Sequence, residues 1–187
     1  MKFKLVETVI LFLLAVSVSF GQKTETENLQ YKLLATTKTS TMQKEINETA
    51  VQGYRILVGA PTSGSEMALF LSRDGTVAEP YQYKLLATTR TSTMQKELNE
   101  AAEAGYRLIP STMIPKKDFF GGVEIVMIME RPPRPDKRYT YRLLATTRTS
   151  TLQKEVTDAK NDGFKIVGMV SRDEHMVVME RETAVTP

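Results

Sequence analysis

Three stretches of this chain place hydroxyls and one cation just ahead of a helix-type pattern: Thr36-Thr37-Lys38-Thr39-Ser40-Thr41, then residues 88–93, then residues 146–151. Free backbone amides and the dipole at a helix start attract anions. Thr37, Lys38 and Ser40, with Thr89, Arg90 and Ser92 and with Thr147, Arg148 and Ser150, are therefore candidate ligand-binding residues for phosphate, sulfate or a sugar acid. Threonine also favours strands and serine also caps helices, which accounts for the same letters without a ligand. What singles these residues out is internal comparison. Thr37, Lys38 (Arg90 and Arg148 in the other copies) and Gln43 should face outward, yet they stay alike while the hairpins that follow diverge.

A second candidate is the segment 111–122, which holds Pro115, Lys116, Lys117, Phe119, Phe120, Gly121 and Gly122. Phenylalanines in a glycine-rich basic loop can anchor a protein partner or a membrane surface, so Lys116, Lys117, Phe119 and Phe120 are candidate partner-binding residues. The competing reading folds the two rings back over the sheet as a lid.

Catalytic constellations are scarce. The chain has no cysteine and one histidine, His175, beside Asp173 and Glu174. Thiol nucleophiles and Cys/His metal clusters are thereby excluded, as is a Ser-His-Asp triad in every copy. Neither G-x-x-x-x-G-K-[ST] nor G-x-G-x-x-G occurs. Glu45, Glu97 and Glu155 recur at an expected first helical turn, where a carboxylate complements the dipole. No catalytic residue, metal ligand or cofactor is assigned. A formal charge of +3, from 25 Lys and Arg against 22 Asp and Glu, is mild for a nucleic-acid binder, and none is expected as a partner.

The elements that must position these residues are spelled three times. "YKLLATTKTSTMQKE" from Tyr31 returns as "YKLLATTRTSTMQKE" from Tyr83 and "YRLLATTRTSTLQKE" from Tyr141. In each, Tyr31, Leu33 and Ala35 or their equivalents alternate with Lys32 and Leu34, a period close to two that predicts a strand. Ser40 with Gln43 has the spacing of a capping box, as have Ser92 with Gln95 and Ser150 with Gln153. Met42, Ile46, Thr49 and Ala50 then mark one helical stripe, repeated by Met94, Leu98, Ala101 and Ala102 and by Leu152, Val156 and Ala159. Gly53, Gly105 and Gly163 stop the helices. Two further strands follow in every copy, near 54–59 and 66–71, 106–109 and 123–129, and 164–170 and 175–179.

The order predicts an α+β fold of three tandem β-α-β-β repeats, each a three-stranded antiparallel-type sheet with one helix and with the last, most apolar strand in the middle. Both alternating sets of "VEIVMIME" and "HMVVME" are apolar, so both faces of those strands need cover and the helix supplies one. Units of this size without disulfide or metal are marginal alone. The second sheet faces are therefore expected to pack on one another, around a pseudo-threefold axis or with the help of a second chain.

The expected organisation is a signal peptide at 1–21, a tail at 22–28, repeats at 29–73, 81–131 and 139–181, linkers at 74–80 and 132–138, and a tail at 182–187. Lys2 and Lys4 precede an apolar run from Thr8 to Phe20, and Ser19 and Gly21 suit a signal-peptidase site. That run falls short of the roughly 20 residues needed to span a bilayer, so no transmembrane segment is expected after cleavage. The expected location is extracytoplasmic, periplasmic or secreted.

Tyr-Lys/Arg-Leu-Leu, then Gly53-Tyr54, Gly105-Tyr106 or Gly163-Phe164, then Met129-Glu130-Arg131 or Met179-Glu180-Arg181 resemble a family of small bacterial β-α-β-β domains of unknown function. The first copy departs from it by ending Leu71-Ser72-Arg73. The resemblance implies the fold and no activity. The function expected is an exported non-enzymatic binding or scaffold protein, with an unknown protein or anionic surface ligand as partner and a possible homo-oligomer. The alternative is a small carboxylate- and hydroxyl-dependent hydrolase or isomerase with a site between repeats.

Overall fold

The computed structural model describes residues 30–73, 79–118 and 121–184. The apolar run expected as a signal peptide, and Phe119 and Phe120, lie outside the described residues. The described chain is α+β, with three helices and three antiparallel sheets.

In the first unit β1 (Tyr31–Thr36), α1 (Thr39–Val51), β2 (Arg55–Pro61) and β3 (Met67–Ser72) give the sheet order β1-β3-β2. The second has β4 (Gln82–Thr88), α2 (Thr91–Glu103), β5 (Arg107–Leu108), a 3-10 turn (Pro110–Thr112), β6 (Ile114–Lys117) and β7 (Val123–Arg131). Its order is β4-β7-β5, with β6 also on β7. In the third, β8 (Lys137–Thr146), α3 (Thr149–Asn161), β9 (Lys165–Ser171) and β10 (His175–Ala184) give β8-β10-β9. The last strand of each unit is central, as its apolar composition requires.

The helical stripes are buried as their spacing dictates: Met42, Ile46, Thr49 and Ala50 on α1, and Met94, Leu98, Ala101 and Ala102 on α2. Each large side chain so buried contributes about 1.5–3 kcal/mol. All three helices end alike. Gly53, Gly105 and Gly163 have φ of 87°, 89° and 86°. Their amides bond the third carbonyl back, and the following Tyr54, Tyr106 and Phe164 bond the fifth, the paired closure of a Schellman motif.

The helix starts differ from the capping-box expectation. Lys38, Arg90 and Arg148 are the N-caps, and no side chain caps the helix there. Thr36 Oγ1 instead accepts from Lys38 N–H at 3.2 Å, and Thr88 and Thr146 accept from Arg90 and Arg148 N–H at 3.1 Å. Ser40 thus becomes the second helical residue, and Glu45, Glu97 and Glu155 fall on the second turn. Two further differences concern strands. The segment 111–122 contains β6, paired with β7 from Ile114↔Val126 to Lys117↔Val123, where a plain loop was expected. The β8–β10 pair runs from Lys137↔Ala184 to Thr146↔His175, longer at the Lys137/Ala184 end than its apolar core suggests.

Hydrophobic clusters cross the unit boundaries. One holds Met42, Ile46, Ala50, Leu34, Leu69 and Leu71 of the first unit together with Tyr83, Val126 and Ile128 of the second. Another holds Met94, Leu98 and Ala102 of the second unit with Tyr141, Leu143, Met176 and Val178 of the third. A smaller third cluster, Leu152, Ala159, Phe164, Val177 and Met179, lies within the third unit. Exposed apolar side chains concentrate at two places. Tyr31, Leu33, Val58 and Phe70 on the first sheet are 55, 55, 45 and 48% exposed, and Ile166 and Met169 on β9 are 58 and 57% exposed.

Candidate functional site

The glutamines of the first two copies are expected to face outward, yet each is half-buried and holds the next unit. Gln43 on α1 donates through Nε2 to the Tyr83 carbonyl at 3.0 Å, and its Oε1 accepts from Leu85 N–H at 2.7 Å. Gln95 on α2 repeats this on β8, with 2.8 Å to the Tyr141 carbonyl and 2.6 Å from Leu143 N–H. Since β4 and β8 are edge strands, the carboxamide stands in for the missing neighbour strand and satisfies backbone groups that would otherwise be unpaired. Asn99 adds a second such clamp, its Oδ1 accepting from Tyr141 N–H at 2.8 Å and its Nδ2 donating to the Tyr141 carbonyl at 3.2 Å.

A second polar assembly spans each boundary through the same tyrosines. Ile56 N–H donates to Tyr83 Oη at 3.4 Å, and Leu108 N–H donates to Tyr141 Oη at 2.8 Å. Arg55 pairs with Glu130 at 3.0 Å, and Arg107 with Glu180 at 3.0 Å. In every case the donor belongs to one unit and the acceptor to the next. Burial is the largest influence on Tyr83 and pushes its phenol up to about 12, with the Glu130 charge adding to the rise. Burial pushes Tyr141 higher still, Glu180 again adding to it. Both phenols are thus neutral hydrogen-bonding groups across the ordinary pH range. The glutamate has no counterpart in the first unit, where Ser72 faces Tyr31 across the sheet as Glu130 faces Tyr83 and Glu180 faces Tyr141.

The nine candidate hydroxyl and cation positions at the helix starts are all exposed, with Ser40, Ser92 and Ser150 already in the first helical turn. Two of the three loops meet at one groove of about 320 Å³, lined by Thr89, Thr147, Gly122, Val123, Arg172, Asp173 and Glu174. Arg172, from the β9–β10 turn, donates to the Thr89 carbonyl and, at 3.0 Å, to Thr91 Oγ1. Thr91 in turn donates to Glu174 Oε1 at 2.9 Å. A carboxylate of the chain itself therefore sits at the start of α2. The loop holding Thr37, Lys38 and Ser40 lies at the start of α1. Ser40 joins Thr39, Gln43, Lys84, Glu97 and Glu100 along a groove of about 420 Å³ between α1 and α2.

In the hairpin, Lys116 is buried and bonded to Glu124 at 2.8 Å, while Lys117 is exposed. His175 Nδ1 lies 3.1 Å from Ser171 Oγ. Among the described residues no three His, Asp or Glu side chains gather as a metal site, and no helix is long and apolar enough to cross a membrane. The boundary contacts are what the sequence reading missed. Their signal is the persistence of Gln43, Gln95 and the Glu130/Glu180 pair at positions a lone unit would leave wet.

Comparison with protein-family models, curated proteins and solved structures gives no significant match for this chain.

Proposed function

We propose that this is an exported, non-enzymatic scaffold or binding protein, built of three stacked repeats that close one another's cores through their second sheet faces. On this reading it is kin to the small bacterial β-α-β-β domains its motifs resemble. The observation that carries the reading is the destination of the repeated polar residues. Gln43, Gln95, Arg55 and Arg107 reach into the following unit, so the letters that stay alike serve joints between units. A repeat stack in which each unit contacts its neighbours supplies a rigid surface, and its stability is a sum of unit and interface contributions.

The ligand side of the proposal is an anionic surface met by the exposed Lys38, Arg90 and Arg148. Retention on a sulfated-polysaccharide column should fall when all three are changed to glutamine. Unchanged elution near physiological salt overturns that part alone. The stacked architecture is tested by excising residues 81–131. A lone unit with bare sheet faces should aggregate or fail to fold cooperatively, and a monomeric, cooperatively folded fragment overturns it. Export is tested by intact mass after expression in a secreting bacterial host, which should show a chain beginning at Gln22.

A further inference from the structure

The stack has two unlike ends, and each carries half of the joint that is completed twice inside the chain. β1 is an edge strand with the same Tyr-Lys-Leu-Leu sequence as β4. Its Tyr31 carbonyl and Leu33 N–H stand where Gln43 clamps Tyr83 and Leu85. The face around them is an open apolar one, with Tyr31, Leu33 and Phe70 each about half exposed, whereas Tyr83 and Ile128 at the corresponding places are buried. At the other end α3 carries Gln153, exposed, at the position of Gln43 and Gln95. Ile166 faces Met179 as Ile56 faces Leu71 and Leu108 faces Met129, so its amide occupies the place from which those residues donate to a tyrosine hydroxyl. Ile166 and Met169 are more than half exposed there.

We propose that copies of this chain associate head to tail, the α3 side of one seating on the exposed face of the first sheet of another. Gln153 then clamps Tyr31 and Leu33, and Ile166 and Met169 cover Phe70 and Leu33. This rests on the stacking proposed above and extends it across molecules. The occupant is a second copy because the complementary half-joint, in the same residue types, is present in the chain itself.

The joint is weaker than the internal ones. Lys165 stands where Arg55 and Arg107 do, and Ser72 where the glutamates do, so the ion pair is lost. Lys160 replaces the buried Ala50 and Ala102, and Thr157 replaces Asn99. Association is therefore reversible and concentration-dependent. A heterologous contact of this kind gives open chains unless its rotation closes a ring.

The test is sedimentation velocity on the full chain over a wide concentration range, with Phe70→Glu blocking the head and Ile166→Glu blocking the tail. Both positions are exposed, and unchanged urea midpoints verify that both variants fold. The weight-average mass of the unaltered chain should rise with concentration. Each variant alone should associate at least about tenfold more weakly. An equimolar mixture of the two should recover dimers, because the free head of one meets the free tail of the other. Monomers at every concentration overturn the proposal. So does association lost with Phe70→Glu but kept with Ile166→Glu, which marks a face-to-face dimer, and so does association indifferent to both, which marks the N-terminal apolar run. None of these outcomes bears on the internal joints, whose failure would show instead as a folded, monomeric 81–131 fragment.

Discussion

The Tyr141 phenol donates to Glu180 Oε2 at 2.8 Å within its own sheet while accepting from Leu108 N–H of the preceding unit at 2.8 Å. Glu180 also receives Arg107, so one buried carboxylate and one buried phenol tie two units together. Tyr83, Ile56, Arg55 and Glu130 form the corresponding group one unit earlier.

Because burial holds both phenols protonated beyond their ordinary range, stability should fall in alkali. The folded pKa lies above the unfolded value near 10, so the contribution is complete below pH 10 and is lost as pH rises toward the folded value. For Tyr83, held up to about 12, a rise of this size corresponds to roughly 2 kcal/mol lost between pH 10 and 12. Urea unfolding at stepped pH should show this decline, and Tyr83→Phe should flatten part of it. A slope unchanged in Tyr83→Phe, Tyr141→Phe and the double variant would show that neither phenol titrates differently on folding.

Gln95→Ala removes both bonds to the edge of β8 and leaves Leu143 N–H without its acceptor, while the Tyr141 carbonyl keeps Asn99 Nδ2. It should lower stability by about 1–3 kcal/mol, as should Asn99→Ala. Gln153→Ala, made on a helix whose glutamine is exposed and meets no further unit among the described residues, should leave the urea midpoint of dilute protein unchanged. Equal losses at Gln95 and Gln153 would mean that the glutamine acts within its own helix.

Arg107→Met strands the Glu180 carboxylate, which is 6% exposed. About half of the Arg107 side chain faces water and Tyr141 Oη still donates to the carboxylate, so the cost should be about 2 kcal/mol, below the roughly 3–5 kcal/mol of a fully buried pair. Thermal melts at low and high salt should give similar losses. Lys137→Met, which breaks the exposed pair with Glu182, should shift the melt little and only at low salt.

Gly59 marks where the first sheet meets β6. A Cβ there would lie 2.7 Å from Leu69 Cδ2 and 2.8 Å from Ile114 Cδ1, both on buried side chains. Gly59→Ala should therefore cost about 1–3 kcal/mol through forced repacking. Gly168→Ala meets only the thioether end of Met113, which can swing aside, and should cost less in the same chemical melts.

Local chemistry made much of the fold legible. The stripe Met94, Leu98, Ala101 and Ala102, the stops at Gly53, Gly105 and Gly163, and the central place of the apolar β7 and β10 each follow from neighbours within a dozen residues. What stayed hidden depends on partners far along the chain. Ser40 and Gln43 fit a capping box in spacing, yet the carboxamide finds an edge strand forty residues onward, where unpaired backbone groups reward it more than a solvated helix end does. Ser72 in place of a glutamate is visible in the letters. Its meaning, that no earlier unit among the described residues supplies it an arginine as Arg55 and Arg107 are supplied to Glu130 and Glu180, is a fact of three dimensions. Pro110 and Pro115 masked β6, since proline argues against a strand interior, although at an edge it is tolerated.

The two completed boundaries use interchangeable fittings. Gln43 and Arg55 offer what Gln95 and Arg107 offer, and Tyr141 with Glu180 receives what Tyr83 with Glu130 receives. A chain from which the middle module had been removed would still bring a matching plug to a matching socket. The length of such a protein can thus change in whole modules, by duplication or loss, without any side chain at the surviving boundary having to be reinvented.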